Sequence, residues 1–168
     1  YKYSNIFSDS FENGIKAANW PTCNNEFKYE TSIGCVANTN QVDLTKKMIS
    51  KEFDLTNYER GTFECVIAYK FVDANDRATV SVQYCEDGTH WMDDVFELLN
   101  KDSEAPHIAG AAPADTEWHP KTLVLDKSLG VKKVRIYIEV LNDAGDNKPM
   151  FFADHLKLIA GKKVNSKI

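Results

Sequence analysis

The chain has 168 residues, and 25 acidic against 20 basic side chains leave a formal charge of −5. Hydrophobic residues at 43% and charged residues at 27% suit a folded globule and exclude a disordered chain. No apolar run reaches the roughly 18 residues of a membrane span, and the acidic balance weighs against a nucleic-acid partner.

In chain order the pattern is one of short alternating segments separated by turn residues, which points to an all-β sandwich or barrel. Tyr3 to Phe7 and Phe27 to Tyr29 are weak strand candidates, and Gln41 to Leu55 is extended in character, with Met48 and Ile49 before Phe53. Phe63 to Phe71 alternates cleanly, the turn 72–76 follows, and Ala78 to Tyr84 alternates again, so these two read as a hairpin. Glu86-Asp87-Gly88 is a second turn, leading into a strand from Trp91 to Leu99. Asp102 to Glu117, with Pro106, Pro113 and five alanines, reads as one long loop. Lys121 to Leu125 is the next strand. Lys133 to Leu141 has the strongest pattern, with Val134, Ile136, Ile138 and Val140 set against Arg135, Tyr137 and Glu139. Phe151 to Ile159 closes the series. No stretch carries a helical apolar stripe. About nine strands in two antiparallel sheets packed face to face is the expected architecture. Residues 1–161 read as one domain and 162–168 as a tail or linker. An opening at Tyr1 without a leader fits a mature secreted product or an excised domain.

The cysteines are Cys23, Cys35, Cys65 and Cys85, none in a C-x-x-C spacing, so a zinc ribbon or redox dithiol is not indicated. Four cysteines allow three pairings. Cys23–Cys35, close in sequence, is the first choice, and Cys65–Cys85 follows by elimination. Strand alternation argues against that second pair, because Cys65 shares a face with Phe63 and Ile67 whereas Cys85 stands opposite Val82 and Tyr84. Free thiols are the alternative.

Three segments carry a resemblance. Near the start stands Phe7-Ser8-Asp9-Ser10-Phe11-Glu12-Asn13-Gly14, followed by Trp20; in the middle Val80-Ser81-Val82-Gln83-Tyr84-Cys85-Glu86-Asp87-Gly88-Thr89-His90-Trp91; at the end Phe151-Phe152-Ala153-Asp154-His155-Leu156-Lys157-Leu158. Their order resembles the jelly-roll modules of secreted and surface proteins: reelin-type subrepeats, cleaved-adhesin domains and calcium-bearing carbohydrate-binding modules. The middle segment is similar to an Asp-box, with Tyr84 in the serine position, Glu86 in the acidic one, and Gly88 and Trp91 matching. That box is a folding device, in which glycine permits the turn and the acid bonds turn amides. The resemblance implies a jelly roll with a structural calcium on Asp9, Glu12 and Asp154, other oxygens completing the shell. The loop 142–147 is also oxygen-rich, but its glycine falls at the fourth place and a hairpin turn is the better reading.

The sequence holds no nucleophile elbow, H-E-x-x-H or phosphate loop, and His90, His107, His119 and His155 stand apart. Sugar recognition needs exposed aromatic rings beside polar groups. Trp20, Trp91 and Trp118 each have a structural explanation first, since tryptophan is largely buried. Tyr29, Tyr58, His90 and Trp91, with Asp93 and Asp94 and with Asn24 and Asn25, are the ligand-site candidates. The function expected is a non-catalytic extracellular or cell-surface module for a glycan or glycoprotein, without membrane insertion. The alternatives are a building block of a surface assembly that contacts other protein modules, and a small polysaccharide-acting enzyme.

Overall fold

The computed structural model describes residues 1–12, 14–24, 27–30, 34–38, 44–70, 77–100, 119–125, 131–142 and 150–162. The turn 72–76, the loop 102–117, Trp118, residues 143–147 and the tail beyond 162 lie outside the described residues.

Alternation does what it should in the two middle strands. Along β11 (Lys133–Asn142), Val134, Ile136, Ile138 and Val140 are each 1% exposed or less. Along β7 (Arg60–Lys70), Phe63, Cys65 and Ile67 are buried. Each strand therefore offers one apolar face, and two such faces shut against each other remove both from water. The sheets are built around long central strands. In sheet A, β12 (Met150–Lys162) pairs with β7 on one side. On the other it pairs with β4 (Gly34–Asn38) along its first part and with β1 (Lys2–Asp9) along its second. β10 (His119–Leu125) extends the sheet beyond β7, and β3 (Phe27–Glu30) extends it beyond β4. In sheet B, β11 pairs with β8 (Arg77–Cys85), which pairs with β9 (Trp91–Asn100). Its other side takes β5 (Leu44–Ile49) and the two-residue β6 (Phe53–Asp54), and β2 (Thr22–Cys23) lies beyond β5. Every pairing is antiparallel, and the strands are twelve among the described residues. The fold is an antiparallel β-sandwich of the jelly-roll kind, as the sequence implied, with more strands than the nine expected.

The extended segment Gln41 to Leu55 divides at Ser50. This serine is 3% exposed, its N–H donates to Ile136 O at 2.9 Å, and its hydroxyl accepts from Ile136 N–H at 2.7 Å. One residue thus satisfies the ladder where β5 stops and β6 has not begun. The expected hairpin between Phe63–Phe71 and Ala78–Tyr84 is not formed: β7 lies in sheet A and β8 in sheet B. Both segments alternate, but alternation defines an inward face and not a neighbour.

A bulge interrupts the longest strand. Ala153 and Leu156 are both buried although three residues apart, which plain alternation forbids. The register of β12 against β7 shifts between Asp154 and Lys157, and His155 adopts φ 52° there. The extra residue resets the phase so that Leu156, Leu158 and Ala160 face inward again.

The cysteine pairing is corrected. Cys23, Cys65 and Cys85 are free thiols. Cys23 sits on β2 in sheet B and Cys35 on β4 in sheet A; Cys65 and Cys85 are likewise on strands of different sheets. Burial pushes the Cys65 thiol up to about 12 and raises that of Cys23. The Cys85 sulfur is engaged locally, accepting the Gly88 N–H at 3.1 Å and contacting Asp87 Oδ1 at 3.4 Å.

Candidate functional site: the outer face of sheet B

The β8–β9 turn is held by its acid, as expected, but the acid is Asp87 and not Glu86. Asp87 Oδ1 accepts the Thr89 and His90 amides at 2.8 and 2.7 Å, and Oδ2 lies 2.6 Å from His90 Nδ1. The amides of His90 and Thr89, then the His90 ring, hold this carboxyl well below the usual range. Gly88, at φ 89°, supplies the left-handed residue. The turn delivers Trp91 beside Cys85, on the side of the sheet facing away from the core.

Registration then assembles a row that sequence alone hides. Gln83 pairs with Arg135 and Ser81 with Tyr137 across β8 and β11. Because Ile136 and Val82 point inward, these four point outward. The Arg135 guanidinium lies over the Trp91 ring, 4.2 Å from its centroid, and its Nε–H donates to Gln83 Oε1 at 2.7 Å. Desolvation lowers the Arg135 pKa, with Glu52 opposing. Tyr137 donates its hydroxyl to Glu139 Oε2, and burial together with that carboxylate raises the phenol. Ser81 is 1% exposed although it faces outward, so the neighbouring side chains cover it. The result is a half-buried band in which an indole, a guanidinium, an amide and a phenol–carboxylate pair are fixed by one another.

The structure separates the residues singled out from sequence. His90, Trp91 and the backbone of Asp93 and Asp94 lie on the one hairpin; the side chains of the two aspartates lie outside the described residues. Tyr29 is in sheet A, packed partly against the core, with its hydroxyl donating to Glu12 O at 3.2 Å. Tyr58, before β7, also packs on the core, with Lys162 Nζ 5.1 Å from its ring centroid. Asn24 serves the sheet, its Oδ1 accepting the Lys47 N–H at 2.7 Å. Arg135, Gln83 and Tyr137 were missed because they read as the polar half of an alternating strand.

The second corner is where the resemblance implies calcium. Asp9 and Asp154 come near each other, since Asp9 pairs with Leu156 across β1 and β12. Yet Asp9 Oδ1 accepts the Phe11 N–H and Oδ2 accepts the Trp20 Nε1–H, both at 2.8 Å. Asp154 Oδ1 accepts the His155 N–H at 2.8 Å, and the Glu12 carbonyl accepts Tyr29. Lys16 lines the same cleft of about 280 Å³, together with Ser8, Ser10 and Asn19. Calcium needs six to eight oxygens. Among the described residues no three acidic, histidine or cysteine side chains form a group able to hold an ion. Three of the carboxylate oxygens at this corner are thus engaged by amides and an indole. Ser10 Oγ, His155 Nδ1 and His155 Nε2 with Asp154 Oδ2 form a serine–histidine–aspartate line at 3.3 and 3.4 Å. His155 is 68% exposed, however, and Asp154 is its sequence neighbour, so the line braces the bulge instead of forming a shielded nucleophile.

No protein-family model matches the chain, and no curated protein sequence matches it. Solved structures do share the fold. The K3 cleaved adhesin domain of Lys-gingipain from Porphyromonas gingivalis W83 is 15% identical over 95% of this chain and all of that one, with a TM-score of 0.58. A carbohydrate-binding module specific for non-crystalline cellulose is 13% identical over 89% and 91%, with a TM-score of 0.55. A structure described with the endo-acting O-glycanases by which human gut microbes initiate mucin breakdown is 10% identical over 95% and 100%, with a TM-score of 0.59. The chain thus has the β-sandwich of adhesin and carbohydrate-binding modules.

Proposed function

We propose that this chain is a non-catalytic recognition module that holds a glycan on the outer face of sheet B and works outside the cell or on its surface. The observation that carries the reading is the Trp91 ring set against the Arg135 guanidinium at 4.2 Å, in a row with Gln83. A sugar offers C–H groups that stack on an aromatic face and hydroxyls that need donors and acceptors close by. The band supplies both kinds of contact, already oriented, which lowers the ordering cost of binding. The fold shared with adhesin and carbohydrate-binding modules supplies the context for the extracellular setting.

The test is a glycan array with the native chain and with Trp91→Ala. We expect binding to a coherent set of sugars and a loss of at least tenfold in the variant. A blank array for the native chain would overturn the glycan reading and leave the module to act through protein contacts.

A further inference from the structure

A second exposed aromatic surface stands on the other sheet. Tyr1 and Tyr3 are each 52% exposed, and their ring centroids are 6.3 Å apart. Between them lies Arg60, from the start of β7. Its guanidinium carbon sits 3.6 Å from the Tyr1 ring centroid, and an Nη donates to the Tyr3 hydroxyl at 3.4 Å. Two tyrosines thus flank one exposed arginine. Their approach depends on Gly161, which pairs with both Tyr3 and Arg60 in the ladder: a Cβ there would meet the Tyr3 ring at 2.8 Å. Lys2 and Lys162 pair with each other across β1 and β12 and, by alternation with Tyr3 and Gly161, belong to the opposite face of the sheet. Glu59, whose amide donates to Gly161 O, is the acidic neighbour in sequence.

We infer that Tyr1, Tyr3 and Arg60 form a second saccharide site, selective for sugars that bear a sulfate or carboxylate. The exposed rings suit sugar C–H faces. The guanidinium, fixed by stacking, presents its fork to a planar or tetrahedral oxyanion, which a lysine does less well. The attraction between guanidinium and oxyanion falls with salt. The site shares no residue with the Trp91 band and does not depend on it.

Calorimetric titration of three probes tests the inference: a chondroitin sulfate oligosaccharide, the same sugar desulfated so that only its carboxylates remain, and neutral xylohexaose. We expect the sulfated probe to bind, with affinity falling as salt rises. Retention by the desulfated probe would assign the anion to the carboxylate, and its loss to the sulfate. Arg60→Gln and Tyr3→Ala should each weaken acidic-probe binding at least tenfold. Arg60→Lys, with the charge kept and the fork removed, should lose most of it, and Gly161→Ala should weaken it by displacing Tyr3. Trp91→Ala should leave it unchanged, so that failure of the sheet B reading and failure of this one are told apart. Thermal melts check that each variant is folded. Absence of binding to both acidic probes, or equal binding by Arg60→Gln and the native chain, would overturn the inference.

Discussion

The indole of Trp20 donates to Asp9 Oδ2 at 2.8 Å, joining the end of β1 to a residue that is 1% exposed in the core. The other carboxylate oxygen holds the amide of Phe11, which stacks on Trp20 and sits at φ 51°, a conformation that an aromatic residue adopts only when its surroundings enforce it. Trp20→Phe keeps the ring and removes the donor. Leaving a part-buried acceptor unpaired costs about 1–3 kcal/mol, so the variant should unfold at correspondingly lower denaturant. Urea denaturation against the native chain measures it.

The same hydrogen bonds stand where a calcium ion was expected. An ion bound only by the folded chain would raise the melting temperature with its concentration. We expect the same melting curve in calcium and in chelator. A rise with calcium would show that the corner, or residues beyond those described, does hold the cation.

Asp87 gives the β8–β9 turn an acid limit. Its folded pKa lies below the unfolded value of about 3.9, so its contribution is present above that value and fades as pH falls through the folded pKa. The protection factors of the Thr89 and His90 amides, taken against the intrinsic exchange rate at each pH, should therefore fall in acid, below about pH 4. Asp87→Asn should lower them already at pH 7 and flatten the dependence.

Cys23, Cys65 and Cys85 should all alkylate in denaturant without reductant. In the folded chain Cys65 should be protected, by burial and by a pKa near 12. Intact mass before and after unfolding reads both. Failure of these three to alkylate in denaturant would restore a disulfide.

Ile136, fully buried in the middle of β11, should be among the costliest positions to truncate. Ile136→Ala removes packing and leaves a cavity, for a loss of about 2–5 kcal/mol, read in the same denaturation experiment.

How much the sequence discloses depends on the range of the forces involved. The inward faces of β8 and β11 are legible because alternation is local, and so is the turn at Gly88. Partners are not: Phe63 to Phe71 and Ala78 to Tyr84 look like a hairpin and fall in different sheets. β2, with two residues, and β4, with the sequence Gly34-Cys35-Val36-Ala37-Asn38, are too short or too mixed to signal themselves. The same limit governs the sites. Trp91 could be singled out because an aromatic after a tight turn is conspicuous. Arg135 could not, because its partner Gln83 is 52 residues away and only register brings them together. Arg60 and Tyr3 are 57 residues apart and equally hidden.

The position of β12 has a consequence for how the chain is made. Among the described residues β1 pairs with β12 alone, from Lys2 opposite Lys162 to Asp9 opposite Leu156, and β7 and β4 lean on the same strand. A growing chain on the ribosome thus carries its first strand without a ladder until residue 162 has emerged. The ladders that β1, β4 and β7 make with β12 thus form late, by contacts of long sequence separation. Until that moment Phe7 and the edges of β4 and β7 remain open to pairing with other nascent chains, which is the interval in which a folding helper would have the most to protect.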